Sequence, residues 1–148
     1  MTTRIGVAAV IHRPRRGLGG LLGRTEVLLL LRQGSAGDGT WAPPGGAVEP
    51  EDVAKGGDVL GEAARREAME EVGIRVRPLP HGRVTVGHIT DGQPWVCVHV
   101  PCELVDDFEP RICEPTKAAA LRWFPAADLP SPLFEPANAP GALAWPGP

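Results

Sequence analysis

One stretch near the middle of the chain has the pattern of an amphipathic helix that must pack against a larger apolar surface. Its apolar residues recur at four-residue intervals and form one stripe: Leu60, Ala64, Ala68 and Val72. Asp58 precedes the stripe and is a candidate N-cap, and Gly73 follows it and is a candidate left-handed C-terminal cap. The pattern predicts a helix over residues 58–72.

The last turns of this helix carry three glutamates, Glu67, Glu70 and Glu71. Like charges three and four residues apart repel, and the helix dipole disfavours anions at this end. One interpretation is a solvated acidic helix end. The other is a divalent cation site, because oxygen ligands suit Mg²⁺, Mn²⁺ or Ca²⁺. Glu67 borders the apolar stripe, and a Pro-Pro-Gly-Gly turn at 43–46 offers bare backbone upstream, so the cation site is favoured.

The rest of the chain predicts several strands around this helix. Residues 4–12 and 25–32 are apolar enough for buried strands, and further strands are expected in 74–79, 82–90, 95–104 and 121–124. Such a pattern is typical of an α/β fold with a mixed sheet and helices on its faces. We expect flexible polar chain over 50–58 and one short helical turn over 125–129.

The domain prediction is a single domain over 1–135 and a Pro/Ala-rich tail over 136–148. The segment 130–148 is expected to lack regular structure, although its Leu133, Phe134 and Trp145 could dock on the body.

Composition limits the kinds of partner and the cellular location that can be expected for this chain. The chain has 148 residues and a net charge of −3, so no basic surface is expected for a nucleic acid polymer or a membrane. The apolar run 27–31 is too short to span a bilayer, and no signal peptide pattern is visible. Cys97, Cys102 and Cys113 are odd in number and form no CxxC pair. Free thiols and a cytoplasmic location are therefore predicted.

The segment "GGAVE…REAMEEVGI" resembles the Nudix box of the Nudix (MutT-like) hydrolases, whose pattern is G-x5-E-x7-R-E-U-x-E-E-x-G-U. The matching positions are Arg66, Glu67, Glu70, Glu71, Gly73 and Ile74. The likeness extends over about 4–134 and includes "LLLLRQGS" and "EPTKAAALRWFPAADLP". The resemblance implies the Nudix fold, a mixed β-sheet sandwiched between α-helices.

The chain departs from the box in its spacing. Six extra residues, 51–56, lie between Gly46 and Arg66. The first box glutamate therefore falls on Asp58 when counted back from Arg66, or on Asp52 when counted forward from Gly46. We prefer Asp58, because Gly57-Asp58 is similar to the Gly-Glu pair of the family. We expect the insertion to lengthen the rim of the site and to alter which X group fits. Ala68 also stands where a bulky aliphatic residue is usual.

The resemblance implies divalent-metal-dependent cleavage of the diphosphate linkage in a nucleoside diphosphate-X compound. A (d)NTP or modified nucleotide is the favoured substrate; the alternatives are ADP-ribose or a nucleotide sugar, or a non-catalytic nucleotide-binding module. In the family, the residues matching Glu67 and Glu71 hold Mg²⁺ or Mn²⁺, Glu70 assists, a carbonyl of the Gly45-Gly46 turn joins them, and Arg66 orients Glu67. The catalytic set is thus Glu67, Glu70 and Arg66. Many relatives form dimers, so a homodimer is possible.

The general base stays open between Asp91, Glu103, Glu114 and a glutamate of the box. Substrate contacts are predicted at Arg32, Gly46 and Glu114.

Arg32 ends the strand 25–32, where a guanidinium suits phosphate and the alternative is a solvated strand end. For Glu114, the alternative to a substrate contact is a structural ion pair with Lys117. His88 and His99 are expected to be packed or surface residues. Trp95 and Trp123 could stack on a base, although core packing is preferred.

The preference for a (d)NTP or modified nucleotide rests on residues that are typical of other family subgroups and that this chain lacks. The chain has no tyrosine, whereas diadenosine polyphosphate members carry one. The proline of ADP-ribose members would fall at Ile89.

Overall fold

The computed structural model describes residues 2–14, 25–34, 36–80 and 82–146. The elements in chain order are β1 (Arg4–Pro14), β2 (Thr25–Arg32), β3 (Trp41–Ala42), β4 (Gly45–Ala47), α1 (Pro50–Ala54), α2 (Val59–Val72), β5 (Val76–Pro78), β6 (Val84–Thr90), β7 (Gln93–Leu104), β8 (Ala118–Pro125) and a 3-10 helix (Glu135–Asn138).

The strands form one mixed sheet. Its central path runs β3-β2-β1-β7-β5, while β4 pairs with β1, β6 with β7 and β8 with β2. β1 and β7 are parallel, from Arg4 opposite Trp95 to His12 opposite Glu103, and the other pairs are antiparallel. The strands predicted at 4–12 and 25–32 are confirmed. β3 and β4, which lie in the Trp41–Ala47 stretch, were not predicted.

Helix α2 covers one face of the sheet. Asp58 accepts a hydrogen bond from the Gly61 amide at 3.1 Å, and Gly73 closes the helix in the left-handed conformation (φ 69°). The predicted helix and both caps are confirmed. The buried stripe of α2 packs on side chains of the central strands, among them Ala9, Ile11, Val98 and Val100.

The C-terminal segment covers the other face of the sheet. Its Ala137 and Leu143 pack on Val10, Val27 and Leu29. The His12 imidazole donates through Nε2 to the Leu143 carbonyl at 2.9 Å, and the Trp145 ring meets it edge-on, with the ring centroids 5.1 Å apart. The second layer is thus a largely irregular segment.

The docking predicted for Leu133, Phe134 and Trp145 is confirmed. The absence of regular structure is wrong for the 3-10 helix Glu135–Asn138, and the domain boundary at residue 135 stays a prediction.

One local prediction is wrong, and another agrees with the structure. Residues 50–58 are not simply flexible chain, because Pro50–Ala54 form α1, where the Glu49 amide donates to Asp52 Oδ2 at 2.8 Å. The stretch 125–129 forms the single turn that was predicted, closed by a hydrogen bond of 2.9 Å from the Asp128 amide to the Pro125 carbonyl oxygen. A polar segment of this length forms a helix only where its ends are capped, as Glu49 and Asp52 do for each other.

Cys97, Cys102 and Cys113 are free thiols, as predicted. Within the part of the chain that the structure describes, no helix is both long and apolar enough to cross a membrane.

Candidate functional site

The glycine pair of β4 lies pressed between β1 and α2. Gly46 pairs with Val7, and Gly45 pairs with Ala8. A Cβ on Gly45 would lie 3.1 Å from the Ala8 Cα, and a Cβ on Gly46 would lie 2.8 Å from Cδ of Glu67. The absence of side chains here lets the backbone approach the carboxylate, which explains the Pro-Pro-Gly-Gly sequence in physical terms.

Arg66 is the centre of an ion-pair network at the start of the box. Its guanidinium binds both carboxylate oxygens of Asp52 at 3.0 Å and Oε1 of Glu67 at 2.9 Å. It also donates to the Ala47 carbonyl at 2.9 Å and to Glu70 at 3.1 Å. The hydrogen bonds that Arg66 donates to the Asp52 carboxylate raise the pKa of Arg66. Arg66 therefore ties α1, β4 and α2 together around two box glutamates.

Asp52, rather than Asp58, supplies the acid that meets Arg66, which corrects our preference for Asp58. Asp52 is fully buried; burial alone would raise the pKa of its carboxyl, but the bonds from Arg66 and the Glu49 amide hold it below the usual value. Asp58 instead caps α2 and pairs with Arg83 at 2.8 Å. Because the extra residues fold as α1, the forward count from Gly46 locates the carboxylate correctly.

Glu67 and Glu71 are the two inward-facing carboxylates of the box. Glu67 is buried, and Glu71 is half-buried and accepts a hydrogen bond from the Gly45 amide at 3.3 Å. Burial, followed by the nearby charge of Glu67, raises the pKa of Glu71 to about 8. Burial also raises the pKa of Glu67, against the opposing effect of Arg66. Two carboxylates that resist ionisation together form an environment that a divalent cation would stabilise.

Glu70 differs from the other two glutamates. Its side chain is 51% exposed and is turned to Arg66. In the described ranges, no group of three acidic, histidine or cysteine side chains is arranged as a metal cluster. The trio is instead divided, with Glu67 and Glu70 on Arg66 and Glu71 on Gly45. The donor set nevertheless consists of hard oxygens, which fit Mg²⁺ or Mn²⁺.

A polar opening, here called the carboxylate cleft, lies beside Glu71. Its polar wall consists of Arg32, Gly45, Glu71, Glu114 and Lys117. Two predicted substrate residues, Arg32 and Glu114, are therefore brought to the same opening as Glu71.

Arg32 is not a solvated strand end. It is half-buried, its Nε donates to the Ala36 carbonyl at 2.8 Å, and its guanidinium lies 4.2 Å from the centroid of the Phe134 ring. Burial lowers the pKa of Arg32, and the charge of Glu71 opposes that effect. Glu114 pairs with Lys117 at 3.2 Å, as the ion-pair alternative anticipated.

The three downstream candidates for the general base separate in space. Glu114 lines the carboxylate cleft. Glu103 pairs with Arg77 on the neighbouring strand β5, and Asp91 is exposed in the β6–β7 turn, where its φ is 51°. Of these three, Glu114 is the one that shares an opening with a box glutamate.

A second opening, here called the ring pocket, lies on the sheet face that the C-terminal segment covers. Its walls include Gly6, His88, Trp95, His99, Phe134 and Ala137. The ring pocket and the carboxylate cleft share Arg32, Ala42, Pro43 and Gly45. The preference for core packing at Trp95 is therefore incomplete, because its ring borders an opening. The alternation of β6 and β7 puts these side chains on one face, but the sequence does not show what covers that face.

Residues 2–145 match the family model of the NUDIX domain. The chain belongs to the Nudix family. The resemblance read from the box is confirmed, and with it the α/β Nudix fold. Nudix hydrolases act on nucleotide substrates that contain acid anhydrides, and they generally depend on divalent metals.

Several solved structures are similar to this Nudix chain. A MutT NUDIX hydrolase from Burkholderia pseudomallei is 28% identical with a TM-score of 0.67, and the match covers 96% of this chain and 97% of that one. An Ap4A hydrolase from C. elegans is 23% identical with a TM-score of 0.64, covering 84% and 81%. The NUDIX domain of Shewanella oneidensis NrtR, crystallised with ADP ribose, is 19% identical with a TM-score of 0.60, covering 91% and 82%. The last two likenesses show the fold alone.

Proposed function

We propose that this protein is a divalent-metal-dependent hydrolase that cleaves the diphosphate linkage of a nucleoside diphosphate-X compound. The favoured substrates are (d)NTPs or modified nucleotides, from which it would release pyrophosphate and a nucleoside monophosphate. The observation that carries the proposal is the pair Glu67 and Glu71. Both carboxyls have raised pKa values and lie against the bare backbone of Gly45 and Gly46.

Glu67 and Glu71 would hold Mg²⁺ or Mn²⁺, with help from Glu70 and the Gly45 carbonyl. When bound, such a cation neutralises the carboxylates, polarises a phosphoryl oxygen and lowers the pKa of a bound water. Glu70 is the exposed member of the trio, so its side chain has the freedom to leave Arg66 for the cation.

Arg66 has a positioning role in this proposal. Its guanidinium fixes Glu67 from one side, while Asp52 and the Ala47 carbonyl fix the guanidinium. The carboxylate of Glu67 is thereby set toward the glycine turn at little further entropic cost, as a preorganised site requires.

Two cationic side chains, Arg32 and Lys117, line the cleft and would meet phosphate oxygens. The attacking water must also lose a proton to a carboxylate. Glu114, which lines the cleft, is the base that we propose, and Glu70 is the alternative within the box.

The test is a panel of NTPs, dNTPs, modified nucleotides, ADP-ribose and nucleotide sugars, assayed with Mg²⁺ and with Mn²⁺. Pyrophosphate and nucleoside monophosphate are measured directly. Glu67→Gln and Glu71→Gln should each lower kcat by about a hundredfold or more, because the cation loses a charged ligand. Glu62→Gln is the matched control: it lies on the same helix but pairs with Lys55 at 3.4 Å, and its activity should not change.

Wild-type activity in both glutamine variants would refute the metal assignment. Turnover of ADP-ribose or a nucleotide sugar without turnover of any triphosphate would replace the favoured substrate class. Binding without turnover across the whole panel would identify a non-catalytic module.

A further inference from the structure

The proposed chemistry uses the carboxylate cleft and only the shared edge of the ring pocket. We propose that the ring pocket receives the nucleobase of the substrate, with Trp95 as the stacking surface and His88 and His99 reading the edge of the base. This inference rests on the proposed function and narrows its substrate class to nucleotides selected through their base rather than through a second sugar.

Aromatic rings from β6, β7 and the C-terminal segment line one side of the ring pocket. His88 on β6 lies directly opposite Trp95 on β7, and their rings are nearly parallel, with an interplanar angle of 20° and centroids 6.2 Å apart. A Cβ on Gly6 would lie 3.3 Å from Cε3 of Trp95, so the glycine leaves room for the indole. Phe134 meets His88 edge-on with the centroids 6.0 Å apart. Planar surfaces of this kind bind a base by stacking, whichever base it is.

Two histidines supply polar ring atoms to the pocket, in addition to the side chains of Arg32 and Thr90. Burial lowers the pKa of both His88 and His99. His99 Nδ1 lies 3.2 Å from the Val84 carbonyl oxygen, which only accepts, so Nδ1 carries the proton and Nε2 keeps a lone pair. His88 Nδ1 is buried and has no hydrogen-bond partner in the described part of the chain. A buried polar atom without a partner favours a ligand that supplies one.

The residues that line the ring pocket are poorly suited to binding a sugar. In the described chain, Arg32 is the one charged residue on the pocket wall, and no carboxylate lines it. Sugar hydroxyls buried against Trp95, Phe134 and Ala137 would lose water without enough hydrogen-bond partners. A base buries two apolar faces there and presents its polar atoms at the edge, where the histidines lie.

The two openings are suited to one substrate. They share Arg32, Ala42, Pro43 and Gly45, so they meet at the glycine turn. Gly46 lines the ring pocket, and a Cβ there would meet the carboxyl of Glu67. A nucleotide with its base against Trp95 would therefore place its phosphates at the box glutamates by crossing Gly45 and Gly46.

The experiment measures binding, so that it does not depend on turnover. Calorimetry with Mg²⁺ compares AMP, GMP, CMP and UMP with ribose 5-phosphate, which lacks the base. At least one mononucleotide should bind the wild type about tenfold or more tightly than ribose 5-phosphate, the range expected for base stacking. Trp95→Leu should remove most of this preference, and Trp95→Phe should keep it. Trp123→Leu is the control, because Trp123 packs outside the pocket beneath Arg13.

His88→Ala provides a second measurement, which removes one ring of the wall but leaves the Trp95 indole in place. It should change the ranking of the four mononucleotides while their common preference over ribose 5-phosphate remains. The proposal is overturned if no mononucleotide binds better than ribose 5-phosphate, or if Trp95→Leu and His88→Ala both leave the preferences of the wild type intact. Base-dependent binding through Trp95, together with no hydrolysis of any compound in the nucleotide panel described above, would refute the proposed function and support the pocket.

Discussion

The carboxylate cleft and the ring pocket meet at one glycine turn, yet they are built in opposite ways. The box charges beside the cleft come from a single helix: Arg66, Glu67, Glu70 and Glu71 lie within six consecutive residues, and Glu71 is the one of them that lines the cleft. The pocket takes its walls from β1, β6, β7 and the C-terminal segment, which are distant in sequence. Chemistry that needs several charges around one point can be encoded locally, whereas a surface that fits a flat ring requires the tertiary fold.

The largest expected effect concerns the acid that supports the cleft. Asp52→Ala should lower the free energy of unfolding by about 3 kcal/mol, because it leaves the partly buried Arg66 without its bidentate partner. Asp58→Ala should cost about 1 kcal/mol, the usual value of an N-cap. Denaturant unfolding of both variants measures the difference. Equal losses in the free energy of unfolding would mean that the two aspartates contribute equally. They would contradict the role of Asp52 on α1 as the main partner of Arg66.

The second prediction tests the turn that both openings share. Gly46→Ala should lower kcat on a nucleoside triphosphate by about a hundredfold, because the new Cβ displaces the Glu67 carboxyl. Gly87→Ala is the matched control on a strand, where a Cβ would lie 3.9 Å from the nearest backbone oxygen. Full activity of Gly46→Ala would show that Glu67 does not need its present position.

The third prediction tests the layer over the ring pocket face. Leu143→Ala should lower the free energy of unfolding by about 2 kcal/mol, since the side chain is buried with Val10, Val27 and Leu29. Leu143 does not line the carboxylate cleft, so kcat should change little. Unfolding curves and steady-state kinetics on the same variant separate these effects. An unchanged stability would mean that the segment contributes nothing to the body of the domain.

The last prediction is a pH dependence in the cleft. In metal-free protein the pKa of Glu71 is raised from 4.5 to about 8, so the folded state binds a proton more tightly than the unfolded state. The contribution of Glu71 to stability is therefore complete below pH 4.5 and is lost as the pH rises to 8. Glu71→Gln should flatten the dependence between pH 5 and pH 8, and so should saturating Mg²⁺ in the wild type. The same slope in the wild type and Glu71→Gln would contradict the raised pKa.

The sequence predicted α2 correctly because everything that defines it is local. A stripe of four apolar residues, an N-cap and a C-terminal glycine lie within sixteen residues. Helix α1 was missed because it has five residues and its buried residue is an aspartate. Asp52 is stable there only because Arg66, fourteen positions later, neutralises it. Local propensity contains no information about such a partner.

The ring pocket shows a different limit. His88, Trp95 and His99 follow an ordinary strand alternation, which is compatible with core packing as well as with a site. The difference depends on Phe134, Pro136 and Ala137, which cover the same face and leave an opening. A Pro/Ala-rich tail has no periodicity from which that contact could be predicted.

The inserted helix α1 has a consequence for loop engineering. Deleting the whole insertion would remove Asp52 together with the extra length, so a change in substrate profile would confound two causes. Gly56 and Gly57 lie after α1, both with positive φ, and a Cβ added to either would have no other group within 4 Å. Trimming the chain there would shorten the connection while Asp52 stays on Arg66. The length of the loop and its charge can thus be varied as separate design parameters.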